Sequence, residues 1–264
     1  MRMPTVIIDD VEVQVEDGQT ILDAAKKAGT WIPTLCYNPT LTPGGNCRSC
    51  MVELDRGGWT KMVTACNYPV RGDIKVSVNS EKAVKVRRGV MKLLLARCPE
   101  SSELKELALR MGVKGTPYPK VTESQRNCIL CGMCITVCEE VIGHSAISFA
   151  GRGVDRAVAA PFRQPSEDCI ACGACAAICP VGTIQMRIHA DTGETEVSPF
   201  KTRVRLLYCE ECGAQMVPEL VNRDMLDKVK FTWKEYRERL KLCPACRRKH
   251  TAEALSFIAS KKKV

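Results

Sequence analysis

Residues 127–143, NCILCGMCITVCEEVIG, set Cys128, Cys131, Cys134 and Cys138 within eleven positions, and residues 168–184, DCIACGACAAICPVGTI, repeat the spacing with Cys169, Cys172, Cys175 and Cys179. Each run reads C-x2-C-x2-C-x3-C. Thiols set this closely either cross-link or share a metal. Disulfide scaffolds are usually short, secreted and preceded by an apolar leader. This chain has 264 residues, and its opening MRMPTVIIDDVEVQVEDG has no apolar core segment of that kind. The C-x-x-C steps also aim two sulfurs at one metal, so metal ligation is the better reading of the seventeen cysteines.

In the two-cluster pattern, the fourth cysteine of each run ligates the other cluster. The repeat therefore predicts one 4Fe-4S cluster on Cys128, Cys131, Cys134 and Cys179, and a second on Cys138, Cys169, Cys172 and Cys175. Gly132 and Gly173 leave room for the backbone to approach the clusters closely. Two zinc knuckles are the competing reading, but the twofold repeat has no purpose for zinc. One local departure is Glu139, which stands where proline would follow Cys138; Pro180 follows Cys179.

Nine cysteines lie elsewhere. Cys36, Cys47, Cys50 and Cys66 are spaced C-x10-C-x2-C-x15-C, which matches the plant-type 2Fe-2S pattern except for a longer first gap. Gly44-Gly45 relaxes the loop that must fold over that cluster, and a structural zinc is the alternative. Cys209, Cys212, Cys243 and Cys246 form two knuckles with a longer insertion than the usual zinc ribbon carries. A structural zinc is expected there. A further 4Fe-4S cluster or a rubredoxin-like iron stays open, as does His250 as an alternative ligand. Cys98 is the remaining thiol, expected to be partly buried and free. His144 and His189 read as ordinary surface residues.

The pattern of elements predicts an α+β chain in four parts. Residues 1–80 read as a β-grasp 2Fe-2S domain, with strands in TVIIDD, VEVQV, MVEL, WTKMVTA and DIKVSV and a helix opened by Thr20. Residues 81–126 read as a helical linker, its first helix capped by Ser80 and its second stopped by Gly112. Residues 127–200 hold the double 4Fe-4S ferredoxin domain. Residues 201–264 form a C-terminal four-cysteine, zinc-ribbon-like domain, with helical stretches between its cysteine pairs and a basic tail ending at Lys261-Lys262-Lys263.

GQTILDAAKKAGTWIPTLCYNP with GNCRSCMVEL resembles the N-terminal ferredoxin domain of the large iron–sulfur subunit of complex I. The same domain opens FeFe-hydrogenases and NAD-linked formate dehydrogenases, and forms the small diaphorase subunit of NAD-linked hydrogenases. The two four-cysteine runs resemble the double-cluster module that follows it in those proteins, so the likeness covers roughly residues 5–188. It implies a subunit that moves electrons between a flavin- and NAD(P)-binding subunit and a catalytic centre. Those relatives also carry a 4Fe-4S cluster with one histidine and three cysteine ligands between the two modules. Here LLLARCPESSELKELALRMG places Cys98 near the histidine position, with no further cysteine or histidine before Cys128. That cluster is therefore expected to be lost. Either the fold brings the remaining modules together, or a partner cluster bridges them, or electrons enter at two places.

Formal charge is +9, and residues 201–264 hold 16 Lys+Arg against 8 Asp+Glu. Cluster and zinc thiolates would offset it by about −8, about −2 for each of four sites. No apolar run approaches the ~20 residues of a membrane span, and a cytoplasmic location is expected. No dinucleotide fingerprint, Walker loop or Ser/His/Asp arrangement is present. The sequence thus points to a non-catalytic electron-transfer subunit in a hetero-oligomeric complex. The alternative is an iron–sulfur redox sensor whose zinc ribbon binds nucleic acid.

Overall fold

The computed structural model describes residues 3–121, 127–229 and 238–261. They fall into two units, Met1–Ala159 with Ala174–Ile184, and Ala160–Gly173 with Gln185–Val264.

In the first unit, alternating apolar residues build a five-stranded sheet. Strands β1 (Thr5–Ile8) and β2 (Val11–Gln14) form a hairpin around Asp9 and Asp10, both at positive φ. The Asp9 carboxylate accepts from the backbone N–H of Val78 at 2.7 Å and the Asn79 amide at 2.8 Å. That ties the turn to the end of β5 (Ile74–Ser77), which runs parallel to β1. With β3 (Met51–Asp55) and β4 (Thr60–Thr64) the order is β2-β1-β5-β3-β4. Helix α1 (Ile21–Lys27) covers one face. Its N-terminus is a capping box in which the Thr20 side chain accepts from the Asp23 N–H and Asp23 accepts from the Thr20 N–H. Val6, Ile8, Ile21, Ala24, Val52, Leu54 and Val76 are fully enclosed between helix and sheet.

Helix α2 (Glu81–Arg97) starts at Ser80, whose Oγ accepts from the Ala83 N–H at 3.2 Å. Arg87 is buried, and its Nη1 donates to the carbonyls of Val78 at 2.8 Å and Met51 at 3.2 Å, bolting α2 to the sheet. Removing this donor while keeping apolar bulk, as in Arg87→Met, is expected to cost about 2 kcal/mol of unfolding free energy, since two buried carbonyls lose a charged donor. Chemical denaturation measures this, and a loss under about 0.5 kcal/mol contradicts the role. Helix α3 (Ser102–Arg110) follows, capped by Ser101 and stopped by Gly112 at φ +70°. Met91, Leu94, Leu104 and Ala108 form a second core that also takes in Cys36, Cys47, Ile129 and Cys131. The unit is completed by short helix α4 (Met133–Thr136), a π-helical turn over Val137–Ile142, the pair β6 (Ser148–Ala150) and β7 (Ala157–Ala159), and short helix α5 (Ala174–Ala177).

The second unit is built on a four-stranded sheet of order β11-β10-β9-β8. Its strands are β8 (Gln185–His189), β9 (Glu194–Ser198), β10 (Thr202–Tyr208) and β11 (Gln215–Pro218). Helix α6 (Glu219–Val229) follows β11, and α7 (Pro244–Lys261) begins directly after Cys243 and carries Cys246 in its first turn. Strands β8, β9 and β11 were not anticipated from the sequence; β9 and β10 pair across residues 199–201. The second helical stretch between the cysteine pairs, with Phe231, Trp233 and Tyr236, lies outside the described residues, as do Lys262 and Lys263. Among the described residues no helix is long and apolar enough to cross a membrane.

Candidate iron–sulfur and metal centres

The loop between α1 and β3 supplies Cys36, Cys47 and Cys50, and Cys66 follows β4. All four are buried, between 1% and 4% exposed. The Cys47 N–H donates to Cys36 Sγ at 3.4 Å, and Cys47 Sγ lies 3.0 Å from Ser49 Oγ. The sulfurs share protons among themselves. Cys36 accepts from Cys47 and then Cys66, which pulls it down to about 3, and Cys50 accepts from Cys66 and falls to about 7. Cys47 and Cys66, as donors, are pushed up. Four enclosed sulfurs, two of them favoured as thiolates, form a donor set a cationic centre can occupy by displacing the remaining protons. Gly45, at φ +64°, is fixed by a close approach: a Cβ there would stand 2.6 Å from the Asn67 amide.

The first half of the repeat wraps Cys128, Cys131 and Cys134 around a tight turn. Leu130 adopts a left-handed φ of 53° and Gly132 one of 82°, which turns N–H groups inward; the Leu130 N–H donates to Cys128 Sγ at 3.3 Å. The second half repeats this conformation, with Ala171 at 54° and Gly173 at 79°. The shared backbone is the physical content of the shared spacing. Burial pushes the Cys131 thiol up to about 12 and raises Cys128 and Cys134 as well. As thiolates, these sulfurs need a neighbouring cation. Cys179, just after α5, belongs to the same unit. Of the other predicted set, Cys138 and Cys175 belong to the first unit and Cys169 and Cys172 to the second.

The two sites of the first unit are adjacent. Asn46, next to the ligand candidate Cys47, donates from Nδ2 to the carbonyl of Cys131 at 2.9 Å. A Cβ at Gly132 would meet that amide at 2.9 Å, so glycine is needed for the approach. The Thr42 N–H also reaches the Glu140 carboxylate at 3.1 Å. Within the first unit, the loop that carries Cys47 thus packs against the turn that carries Cys131. The signal was the Asn46–Cys47 step, but sequence gives no hint of its partner 85 positions away.

Cys98 is fully enclosed rather than partly buried. Burial, then the neighbouring Cys128, raises its thiol to about 12. Because the folded value exceeds the free one of 9.0, any stabilisation from keeping this thiol neutral is complete below pH 9 and lost as pH climbs toward about 12. Iodoacetamide at pH 8 is expected to leave Cys98 unmodified in the folded chain and to label it after unfolding, as read by peptide mass spectrometry. Labelling of Cys98 in the native chain contradicts its enclosure.

In the second unit, the sulfurs of Cys209, Cys212, Cys243 and Cys246 all lie within 4.8 Å of one another. Cys212 and Cys243 are 3.7 Å apart. Gly213, at φ +68°, closes the first knuckle by donating to the Cys209 carbonyl at 2.9 Å. The Cys243 N–H donates to Cys209 Sγ at 3.2 Å, which with the Cys212 N–H pulls that thiol down to about 6. The Cys246 N–H likewise approaches Cys243 Sγ at 3.5 Å. His250 pairs through Nε2 with the Glu211 carboxylate at 2.7 Å, and Lys249 joins the same carboxylate at 3.3 Å. These contacts strap the first knuckle to α7.

Comparison with known proteins agrees with this chemistry. Residues 2–81 match the family described as a 2Fe-2S iron-sulfur cluster binding domain, and residues 122–186 match a 4Fe-4S dicluster domain. The chain is 34% identical over 173 residues to the NADPH-Fe(3+) oxidoreductase subunit alpha of Geobacter sulfurreducens, covering 57% of this chain and 20% of that protein. It is 29% identical over 207 residues to the mitochondrial NADH-ubiquinone oxidoreductase 78 kDa subunit of Neurospora crassa, covering 69% of this chain and 27% of the relative. The chain thus spans under a third of these relatives. A crystal structure of an NAD+-reducing NiFe-hydrogenase in the H2-reduced state superposes with a TM-score of 0.58 at 28% identity, covering 68% of this chain and 85% of that one. The chain thus has a region matching a 2Fe-2S cluster binding domain followed by one matching a 4Fe-4S dicluster domain, and it is similar to subunits of NADPH- and NADH-linked oxidoreductases.

Proposed function

We propose that this chain is an electron-transfer subunit that passes single electrons between a flavin- and NAD(P)-binding subunit and the catalytic subunit of a larger oxidoreductase. The observation that carries the reading is the Asn46–Cys131 hydrogen bond, which fastens the loop of one buried cysteine quartet to the ligand turn of the next. Cys36, Cys47, Cys50 and Cys66 would hold a 2Fe-2S cluster. Cys128, Cys131, Cys134 and Cys179 would hold a 4Fe-4S cluster. Assignment of a second to Cys138, Cys169, Cys172 and Cys175 rests on the repeated spacing. When bound, such clusters accept and release one electron at a time. The protein's part is to bury Cys36, Cys47, Cys50 and Cys66 together with Cys131 and Cys134, while Cys172 stays exposed, and to donate N–H groups such as that of Leu130.

At Cys209, Cys212, Cys243 and Cys246 the sulfur spacing favours a single tetrahedral zinc. Zn–S bonds of about 2.3 Å put ligand sulfurs about 3.8 Å apart, against the 3.7 Å between Cys212 and Cys243. A four-iron cube, with eight atoms between its ligands, holds them farther apart. Zinc there would be structural, closing two knuckles that α6 and the following residues separate.

The test is anaerobic purification of the chain from its own cells. A flavin-containing, nucleotide-binding subunit is expected to accompany it, and NADH or NADPH should bleach the iron–sulfur absorbance of that complex but not of the isolated chain. A complex whose absorbance neither nucleotide alters contradicts the reading. Salt-sensitive co-purification of nucleic acid would support the sensor alternative.

A further inference from the structure

The two turns share a backbone conformation, so what stands beside each of them can set the two clusters apart. Arg97, the last residue of α2, stands beside the first. Its Nε donates to the carbonyl of Cys128 at 2.6 Å, and its Nη2 donates to the carbonyl of Arg156 at 2.9 Å. Among the described residues no carboxylate stands within ion-pair distance of Arg97. Its charge is spent on two neutral carbonyls, one of them belonging to a cluster ligand. A second cation flanks the turn, since Arg156 stacks over the Phe149 ring at 4.1 Å, and that ring lies against Gly132.

A fixed positive charge beside a cluster favours the state with the extra electron, and hydrogen bonding and net charge are established levers on cluster potential. We propose that Arg97 is a positioning residue whose charge raises the reduction potential of the 4Fe-4S cluster held by Cys128, Cys131, Cys134 and Cys179, setting it apart from its twin. The inference rests on the cluster assignment under Proposed function. Its chemistry is one-electron reduction with the cation held in place, and no bond is formed or broken.

The test is EPR-monitored redox titration of the full-length, cluster-loaded chain bearing Arg97→Gln, Arg97→Lys or Arg97→Met. Glutamine keeps a donor for the Cys128 carbonyl and loses the charge; lysine keeps the charge and loses the fork. In the glutamine and methionine variants, one four-iron signal is expected to move to more negative potential by at least tenfold in its one-electron equilibrium, about 59 mV. The 2Fe-2S signal and the other four-iron signal should stay in place. The lysine variant should keep a near-native value. Unmoved potentials in the glutamine variant overturn the proposal, as does a lysine variant shifted as far as the glutamine one. Failure of every variant to assemble that cluster would make Arg97 purely structural and overturns it as well. Absence of four-iron signals from the native chain would instead overturn the cluster assignment.

Discussion

Cys47→Ser is expected to strip the 2Fe-2S site, leaving about eight of about ten irons and abolishing the two-iron EPR signal while the four-iron signals persist. Serine replaces a soft thiolate with a poorer ligand for iron. The other three sulfurs are between 1% and 3% exposed, so no water stands ready to replace the lost one. The damage should spread beyond the cluster. Cys36 and Cys47 sit in the same core as Met91, Leu94 and Cys131, and Asn46 reaches the next module from the position beside Cys47. Faster proteolysis of the 36–50 loop should therefore accompany the iron loss. Retention of about ten irons by this variant would remove Cys47 from the ligand set.

Cys243→Ser is expected to act on the other unit alone. Zinc should fall from about one per chain to near none, with iron unchanged, because structural zinc sites contribute folding energy outright. Cys243 is buried, lies 3.7 Å from Cys212, and donates its own N–H to Cys209. Its loss removes a ligand and frees the start of α7, which carries Cys246. Limited proteolysis should then open cuts between α6 and α7 and spare the five-stranded sheet. Metal analysis that finds iron lost instead of zinc would contradict the assignment of this site.

The local signals in the sequence were strong where chemistry and backbone coincide. Thr20 and Ser80 start their helices as a side-chain acceptor before an apolar periodic run should, and Gly112 ends α3 in the left-handed conformation. The twin C-x2-C-x2-C runs fold into turns with matching positive φ at Leu130 and Ala171, and at Gly132 and Gly173. What escaped was long-range or weakly patterned. Strand β8 is exposed on both faces over Gln185–Ile188, so it lacks the alternation that marks a half-buried strand. Asn46 and Arg97 are polar residues whose partners are backbone carbonyls, 85 and 31 positions away. A carbonyl has no residue identity, so no sequence motif can announce such a contact. The Asp23 half of the capping box was readable, since a carboxylate three residues after Thr20 is its signature.

The region around Cys98 is filled by packed apolar side chains. Helices α2 and α3 fill that region with Leu94, Leu104 and Ala108, and the 2Fe-2S loop packs on the same core as Ile129 and Cys131. A packed apolar core occupies the linker, and the Asn46 contact fastens the modules on either side of it.

The most direct test is a count of iron, acid-labile sulfide and zinc on anaerobically purified, natively folded chain, with EPR of the dithionite-reduced sample. The account predicts about ten irons, about ten sulfides and about one zinc, with one two-iron and two four-iron signals. A colourless, iron-free chain that is nonetheless natively folded would contradict it.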